Sequence, residues 1–285
     1  MTIRRNSLED RARRLARSVA NSFRQLIPGE RHSPDFIVIG TQKGGTTSLH
    51  SYLAQHHQVV RSYGKELHYF DAGLEAATNN YAKGPGWYLA HFPLKKNMPP
   101  QCVTGEATPE YLFNPDAPQR IKEFTPEIKL IALLRNPTDR AISQYFHEVR
   151  KGNEALPIEE AFDREDERLA EALSSCDYNC FNFVHYAYKA RGRYAEQLKR
   201  YYNLFSKDQL LVLSSEDFFA DVSGTIGVIC DFLGVDGDLS SINFAPKNVG
   251  RDKAKVSESI YTELDEYFKP HNEVLFELLG KEFSW

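Results

Sequence analysis

The chain has 285 residues, of which 41% are hydrophobic and 26% are charged, and its net charge is −4. This is ordinary globular composition, with enough apolar residues for a full core. No apolar run approaches the ~20 residues of a membrane-spanning helix, which excludes a transmembrane segment. The weakly negative charge does not indicate nucleic-acid binding, and we expect no nucleic-acid partner. The length fits one large α/β domain or two small domains.

The first 31 residues differ from the rest in charge. They hold eight arginines and three acidic residues, a net charge of +5, which leaves −9 on the remainder of the chain. An apolar stripe runs through this basic segment at Leu8, Leu15, Val19, Phe23 and Leu26. Three interpretations stay open: an amphipathic helix on an anionic membrane, the same helix on a partner protein, or a solvated or frayed helix against the body. We predict an arm over residues 1–33 and one domain over residues 34–285.

The cysteines predict a reducing environment. Cys102, Cys176, Cys180 and Cys230 are too few and too scattered for a disulfide scaffold. The spacing of Cys176 and Cys180 suits a metal ion or a disulfide, but no second pair of Cys or His accompanies them. We therefore expect reduced cysteines and no metal. No apolar stretch of a secretory signal follows the arginines, so we expect a cytoplasmic protein. Peripheral contact with a membrane, through the arm, stays open as one of the three interpretations.

Beyond the arm, strand and helix patterns alternate. We predict β-strands at Phe36–Ile39, Gln58–Arg61, Cys102–Gly105, Ile128–Leu134 and Gln209–Leu213. We predict α-helices at Thr46–Ala54, Pro137–Arg150, Tyr194–Tyr202, Thr225–Leu233 and Ser257–Phe268. Most of the strands are continuous apolar runs, as in a buried parallel sheet. The pattern predicts an α/β fold with a central, mainly parallel sheet, and it indicates an insertion or lid at the acidic region Gly152–Asp177.

The loop after the first predicted strand has the composition of an anion-binding site. Its sequence, GTQKGGTTS over residues 40–48, leads into a helix. A glycine-rich turn at a helix N-terminus presents backbone N–H groups and the positive end of the helix dipole to an anion. The Gly-Lys-Ser/Thr triplet of ATPases and GTPases is missing, since Lys43 precedes Gly44 and Gly45. We infer a phosphate loop that does not hold a nucleoside triphosphate.

A second anion-binding motif follows the fourth predicted strand. In LIALLRNPTDRAISQY, residues 130–145, the strand ends at Arg135, Asn136 suits a helix N-cap and Pro137 suits the first helical position. Arginine binds phosphate through paired hydrogen bonds, and Ser143 follows on the same helix. Arg135 alone would equally suit a structural ion pair. Two separate phosphate sites, however, suggest a nucleotide that is phosphorylated at two positions.

These motifs resemble those of the sulfotransferases that use 3′-phosphoadenosine 5′-phosphosulfate (PAPS), in particular the heparan sulfate 3-O-sulfotransferases and the N-sulfotransferase domain. QKGGTTSL resembles the family's 5′-phosphosulfate loop, and LLRNPTDRAISQY resembles its 3′-phosphate motif. Further matching segments follow in the family's order: GKELHYFD (64–71), KGPGWYLAHFP (83–93), GEATPEYL (105–112) and VGRDK (249–253). The resemblance extends from Pro34 to Trp285 and implies a P-loop-like three-layer fold.

The resemblance also implies PAPS as the sulfuryl donor, no metal, and a role for each matching residue. Glu66 would be the general base, Lys43 would stabilise the leaving phosphate, and His68 would lie in the acceptor site. The 5′-phosphosulfate would be held by Lys43, Gly44, Gly45, Thr46, Thr47 and Ser48. The 3′-phosphate would be held by Arg135 and Ser143, and the cofactor pocket would be completed by Gly250, Arg251 and Lys253. By spacing alone, Glu66 would be a surface carboxylate beside Lys65 and His68 a packed histidine.

The chain departs from the family at two points. Ala107 stands where the family often has a lysine, after the glutamate that corresponds to Glu106, and this removes a cation from the expected reaction centre. The cysteine pair that precedes VGRDK in several relatives is missing, which suits a reducing compartment.

The expected acceptor is a carbohydrate hydroxyl or amine, with a small alcohol or a lipid as the alternative. Two other function classes remain open. A P-loop kinase would need a Gly-Lys-Ser/Thr loop, which is missing, and a Mg²⁺-binding aspartate at a strand end. A non-catalytic nucleotide- or membrane-binding module would keep the phosphate loops and tolerate the loss of Glu66. The presence of both Lys43 and Glu66 argues against such a module.

Overall fold

The computed structural model of the chain describes residues 16, 18–74, 78–245 and 256–285. Within these residues, five parallel strands form one sheet in the order β2-β3-β1-β4-β5. The strands are β1 (Phe36–Gly40), β2 (Val59–Arg61), β3 (Val103–Ala107), β4 (Lys129–Leu134) and β5 (Leu210–Ser214). Every predicted strand is found with its ends shifted by no more than two residues. The predicted α/β fold with a parallel sheet is confirmed.

The strand order determines where a ligand can bind. After β1 the chain runs toward β2, the outermost strand at one end of the strand order. After β4 it runs toward β5, the outermost strand at the other end. The loops after these two adjacent strands therefore diverge, and a crevice forms between them at the carboxyl edge of the sheet. The segment after β3 reaches the same edge, because β3 pairs with β1 in parallel.

Apolar side chains cover both faces of the sheet. In β1, Ile37 and Ile39 belong to one buried cluster, whereas Phe36 and Val38 belong to the other, because successive strand residues point to opposite faces. One cluster contains residues of the helices α2 (Gly84–Leu89), α3 (Ala117–Phe124), α8 (Tyr194–Tyr202) and α11 (Glu258–Leu279). The opposite cluster contains residues of α1 (Thr46–Leu53), α9 (Ser215–Ala220) and α10 (Val222–Leu233). The arrangement is the expected three-layer fold.

The described helices follow the sequence patterns with one large exception. Helix α4 (Pro137–Lys151) ends one residue after its predicted end, and α8 has its predicted bounds. Helix α11 continues to Leu279, so the predicted end at Phe268 is wrong. The helix passes through Pro270, although proline inside a helix costs about 3 kcal/mol. Buried Phe268 and Leu275 lie on either side of this proline and offset the cost.

The acidic region that was predicted as an insertion or lid forms the helices α5 (Ile158–Asp163) and α6 (Glu165–Ser175), which α7 (Phe181–Tyr186) follows. Phe162 packs with Tyr188 in a third apolar cluster, which also contains residues of α4 and α11. The buried Glu165 carboxylate accepts the backbone N–H groups of Lys189 at 2.6 Å and Ala190 at 2.7 Å. These contacts join the region to the body.

The described part of the arm is helical over residues 18–26. On one side, Asn21 donates a hydrogen bond to the Trp87 carbonyl and Arg24 donates one to the Ala90 carbonyl. The predicted apolar residues are exposed: Val19 by 46%, Phe23 by 66% and Leu26 by 79%, whereas Leu8 and Leu15 lie outside the described residues. In the part of the chain that the structure describes, we find no helix that combines the length and the apolarity needed to span a bilayer.

Candidate active site

The predicted phosphate loop lies at the carboxyl edge of the sheet, between β1 and α1. Its glycines are required by close packing: a Cβ atom on Gly44 would lie 2.5 Å from the Leu133 carbonyl oxygen of β4, and one on Gly45 would lie 2.9 Å from the Phe219 ring. Gly45 also has a φ of +98°, a conformation that side chains disfavour. No side chain caps the N-terminus of α1, which leaves its first N–H groups available to an anion.

Lys43 gives this loop an unusual charge state. Its backbone φ is 69°, in the left-handed region that is uncommon for residues other than glycine. Burial, and after it the positive charges of Arg150 and Arg135, lower the pKa of Lys43 to about 8. The cations around the loop therefore repel one another when no anion is bound, and a bound anion would relieve this repulsion.

Arg135 reaches the phosphate loop from the end of β4. Its Nη1 donates a 3.1 Å hydrogen bond to the Lys43 carbonyl. As predicted, Asn136 is the N-cap of α4, accepting the Asp139 N–H at 3.1 Å, and a proline occupies the first turn. Tyr194 also fixes this corner by donating from its hydroxyl to the Arg135 carbonyl at 2.8 Å. The two predicted anion motifs thus meet, while Ser143 lies half-buried in the second turn of α4.

The segment that carries Glu66 also touches the phosphate loop. The Lys65 ammonium lies 2.7 Å from Oγ1 of Thr47 and 2.8 Å from Oε1 of Glu66. The backbone N–H of Glu66 donates to the Ala107 carbonyl at 3.1 Å, which fixes the segment to the end of β3. Burial would raise the pKa of Glu66, but the Lys65 ammonium outweighs it and holds the pKa below its ordinary value. Glu66 is therefore a carboxylate at neutral pH, and its side chain is 43% exposed.

His68 forms a pair with a residue that sequence reasoning did not select. Its Nδ1 lies 2.7 Å from Oδ2 of Asp71, and both side chains are largely buried. Burial lowers the pKa of His68, but the negative charge of Asp71 and its hydrogen bond raise it more, to about 9. His68 is therefore an imidazolium at neutral pH and can donate a hydrogen bond but cannot accept a proton.

A buried carboxylate lies behind this segment. Glu106, which has no exposed surface, accepts hydrogen bonds from the Tyr88 and Tyr111 hydroxyls at 3.0 Å and from the Thr108 hydroxyl at 2.5 Å. Burial raises the pKa of Glu106 to about 7, although these three hydrogen bonds oppose the rise. Two of the hydroxyls bind the backbone of the Glu66 segment in turn. Oγ1 of Thr108 accepts the N–H of Leu67, and the Tyr111 hydroxyl accepts the N–H of Tyr69.

The sequence relationships agree with this geometry. A family model described as the sulfotransferase domain matches residues 33–249. The chain belongs to the sulfotransferase domain family. Among curated relatives, the membrane-associated sulfotransferase kil1 of Dictyostelium discoideum is 29% identical, and the match covers 88% of this chain and 66% of that protein. Human heparan sulfate glucosamine 3-O-sulfotransferase 6 is also 29% identical, over 90% of this chain and 75% of its own length.

A solved structure shows the same fold. The sulfotransferase from Alicyclobacillus acidocaldarius superimposes with a TM-score of 0.71 at 30% identity, and the match covers 89% of this chain and 98% of that one. The resemblance that the motifs predicted is confirmed, and the chain is an enzyme of the sulfotransferase class.

The structure brings together some predicted site residues of this sulfotransferase and leaves others undescribed. A hydrogen bond joins Arg135 directly to Lys43. Thr47 and Glu66 are joined indirectly, because both contact the Lys65 ammonium. Gly250, Arg251 and Lys253 lie outside the described residues. Sequence reasoning did not assign a site role to Lys65, Asp71, Thr108 and Tyr111. Asp71 and Lys65 stand inside the GKELHYFD segment, so that segment contained the signal for both of them.

Proposed function

We propose that this sulfotransferase moves the sulfuryl group of PAPS to a hydroxyl or amine of a carbohydrate, with Glu66 as the general base. The observation that carries the proposal is that the Lys65 ammonium contacts both the predicted base and the predicted phosphate loop. The Lys65 ammonium alone separates the Glu66 carboxylate from the Thr47 hydroxyl. A donor held by the loop would therefore present its sulfur beside this carboxylate. Such proximity is the first requirement for a general base.

The bound donor would be held by two groups of residues. Lys43 and the glycines and hydroxyls of residues 44–48 would bind the 5′-phosphosulfate at the N-terminus of α1. Arg135 and Ser143 would bind the 3′-phosphate, with Gly250, Arg251 and Lys253 completing the pocket. The clustering of cations at Lys43, with its lowered pKa, supports an anionic ligand of more than one charge.

The reaction balances with the residues in place. The acceptor oxygen or nitrogen forms a bond to sulfur as the bond between sulfur and the 5′-phosphate oxygen breaks, and that oxygen keeps the electron pair. The proton of the acceptor goes to Glu66, which is ionised at neutral pH. Lys43 stabilises the negative charge that develops on the leaving phosphate. His68 is charged by its pairing with Asp71, so it would donate a hydrogen bond to the acceptor and not act as the base.

We propose that the transfer uses no metal. Among the described residues, one group offers three ligand atoms at metal-like spacing, namely His56, His57 and Asp236. Nδ1 of His56 accepts the backbone N–H of Gln58 at 3.1 Å, so its proton lies on Nε2 and faces the Asp236 carbonyl. Binding a metal at Nε2 would break both hydrogen bonds. This group is explained as a structural contact.

A carbohydrate acceptor is suggested by the relative that is named as a heparan sulfate glucosamine 3-O-sulfotransferase. A small alcohol or lipid acceptor is the second candidate. Two observations favour it: the chain beyond residue 31 carries a net charge of −9, which disfavours a heavily sulfated polymer, and the arm exposes Phe23 and Leu26 beside its arginines. Peripheral membrane contact through the arm and a cytoplasmic location stay predictions.

The direct test is incubation of the purified chain with PAPS carrying ³⁵S and a panel of polysaccharides, glycolipids and alcohols, with EDTA present. We expect label to pass to one acceptor class, and we expect adenosine 3′,5′-bisphosphate to bind far more tightly than ATP by calorimetry. Equal binding of ATP, or a requirement for Mg²⁺, would contradict the proposal. If a lipid takes label and no carbohydrate does, the result supports the second candidate acceptor.

A further inference from the structure

The residue after Glu106 cannot supply a cation to the reaction centre. The family often has a lysine there, but this chain has Ala107, whose side chain is fully buried in an apolar cluster with Leu49 and Val38. A sulfuryl group in transfer carries negative charge on its oxygens while both the old and the new bond to sulfur are partial. Positive groups that are already in place at such oxygens lower the barrier selectively.

The ammonium group of Lys65 lies between the phosphate loop and the candidate base. Nζ lies 2.7 Å from the Thr47 hydroxyl of the phosphate loop and 2.8 Å from the Glu66 carboxylate. A donor on the loop and an acceptor that loses its proton to Glu66 must meet between these two groups. The side chain is 24% exposed, so the charge is partly shielded from water and its interactions are stronger than on the surface.

The backbone explains how residue 65 reaches this position. The N–H of Glu66 donates to the Ala107 carbonyl at 3.1 Å, so the Lys65 segment runs directly beside the position of the missing lysine. This backbone contact holds residue 65 at the end of β3, within reach of the phosphate loop.

We propose that Lys65 is a catalytic residue, which donates a hydrogen bond to a sulfuryl oxygen during transfer and takes the place of the lysine absent at position 107. The proposal rests on the proposed function. The proton of Lys65 stays on its nitrogen throughout, while the proton of the acceptor passes to Glu66 and the 5′-phosphate oxygen leaves with the electron pair of the broken bond.

The alternative role is a simple ion pair that keeps Glu66 ionised. The pH dependence of the rate separates the two roles. If Lys65 acts only on Glu66, then Lys65→Met would raise the pKa of the base, and the loss of rate would disappear at a pH where Glu66 is ionised in both proteins. If Lys65 contacts the sulfuryl group, the loss persists on the high-pH plateau.

The experiment compares single-turnover rates of the parent chain, Lys65→Met, Lys65→Arg and Lys122→Met across pH, using the best acceptor of the panel. Lys122 is the matched control, because its ammonium binds the Pro126 carbonyl ahead of β4, at the opposite edge of the sheet. Calorimetry with adenosine 3′,5′-bisphosphate and a thermal melt on each variant verify folding and nucleotide binding.

We expect Lys65→Met to lower the plateau rate by about 10²–10³-fold, with bisphosphate affinity within about threefold of the parent. Lys65→Arg, which keeps the charge, should recover at least a tenth of the parent rate, and Lys122→Met should be unchanged. A plateau rate of Lys65→Met within about threefold of the parent would overturn the proposal, as would a loss of bisphosphate affinity that matches the loss of rate. A parent chain that transfers no label contradicts the proposed function instead, so the two failures are distinguishable.

Discussion

Oγ1 of Thr108 accepts the backbone N–H of Leu67 at 3.0 Å, and the hydroxyl of the same threonine donates to buried Glu106. Leu67 stands between Glu66 and His68, whose φ angles are 57° and 49°. Left-handed backbone is uncommon at such residues and persists when surrounding contacts hold it. The buried carboxylate therefore orients a hydroxyl, and the hydroxyl holds the strained segment that presents the candidate base.

The base is tested by Glu66→Gln, which keeps size and hydrogen bonding but removes basicity. We expect turnover to fall by ~10²–10⁴-fold, the usual contribution of general-base catalysis. Bisphosphate affinity should stay nearly unchanged, because Lys65 lies between Glu66 and the loop. Turnover and calorimetry must be measured on the same preparation. Turnover within about threefold of the parent would assign the base to another group.

The 3′-phosphate site is tested by Arg135→Ala. This change should weaken the binding of adenosine 3′,5′-bisphosphate by roughly 1.5–3 kcal/mol, the contribution of a hydrogen bond to a charged group. The binding of 5′-AMP, which has no 3′-phosphate, should be much less affected. Arg164→Ala is a suitable control, since Arg164 forms an exposed helical ion pair with Glu160. Equal weakening of both nucleotides would show that Arg135 only supports the Lys43 carbonyl.

Nucleotide binding should take up a proton at alkaline pH. Lys43 has a pKa of about 8 in the empty site, so at pH 9 it is mostly neutral, and a bound phosphate would raise its pKa and protonate it. We expect bisphosphate affinity to fall as the pH rises above about 8, and we expect the share of proton uptake that Lys43 contributes to vanish well below that pH. Calorimetry in two buffers of different ionisation enthalpy measures the uptake. Uptake that persists in Lys43→Met would assign it to another group, such as His68.

Glu106 should make stability depend on pH. Its pKa is about 7 in the folded chain against 4.5 ordinarily, so between these values the folded state holds a proton that the unfolded state has released. The contribution of Glu106 to the free energy of unfolding should therefore be largest below about pH 4.5 and decline as the pH rises through 7, by up to about 3 kcal/mol. Glu106→Gln should remove this share of the decline.

Buried Glu165, whose pKa is also about 7, should contribute a similar decline that remains in the Glu106→Gln variant. Urea unfolding at pH 5, 6 and 7 provides the free energies for both proteins. Parallel pH curves for the parent and the variant would show that Glu106 does not titrate in this range.

Removal of residues 1–31 should spare the chemistry, because no motif lies there. The shortened chain loses the hydrogen bonds that Asn21, Arg24 and Arg31 donate to the backbone carbonyls of residues 87, 90 and 92. We therefore expect a modestly lower thermal midpoint. Vesicle binding, measured by co-sedimentation with anionic liposomes, should disappear if the arm contacts membranes. In the full chain, Phe23→Ser with Leu26→Ser is the matched variant, which keeps those hydrogen bonds and removes exposed apolar surface. Loss of bisphosphate binding in the shortened chain would show that the arm belongs to the fold.

Local patterns by themselves determined the sheet and the phosphate loop. Strands β1 and β4 are runs of apolar residues, buried on both faces as parallel strands require. The Asn136 side chain caps an N–H three residues ahead, and the φ of +98° at Gly45 is a local requirement of the turn. The same local reasoning failed at Pro270, where burial of Phe268 and Leu275 against the body outweighs the preference of proline to end a helix.

Only the tertiary structure decided the surroundings of the candidate base. From the sequence, Lys65 and Glu66 are neighbouring charges that suit a solvent-exposed pair. The adjacency of β1 and β3 brings Lys65 to Thr47, 18 residues away, and brings Leu67 to Thr108, 41 residues away. Such contacts have no signature in spacing or composition, because their geometry depends on strand order. Burial then sets the charge states of Lys43 and Glu106, since the cost of desolvating a charge depends on what packs around it in the folded chain.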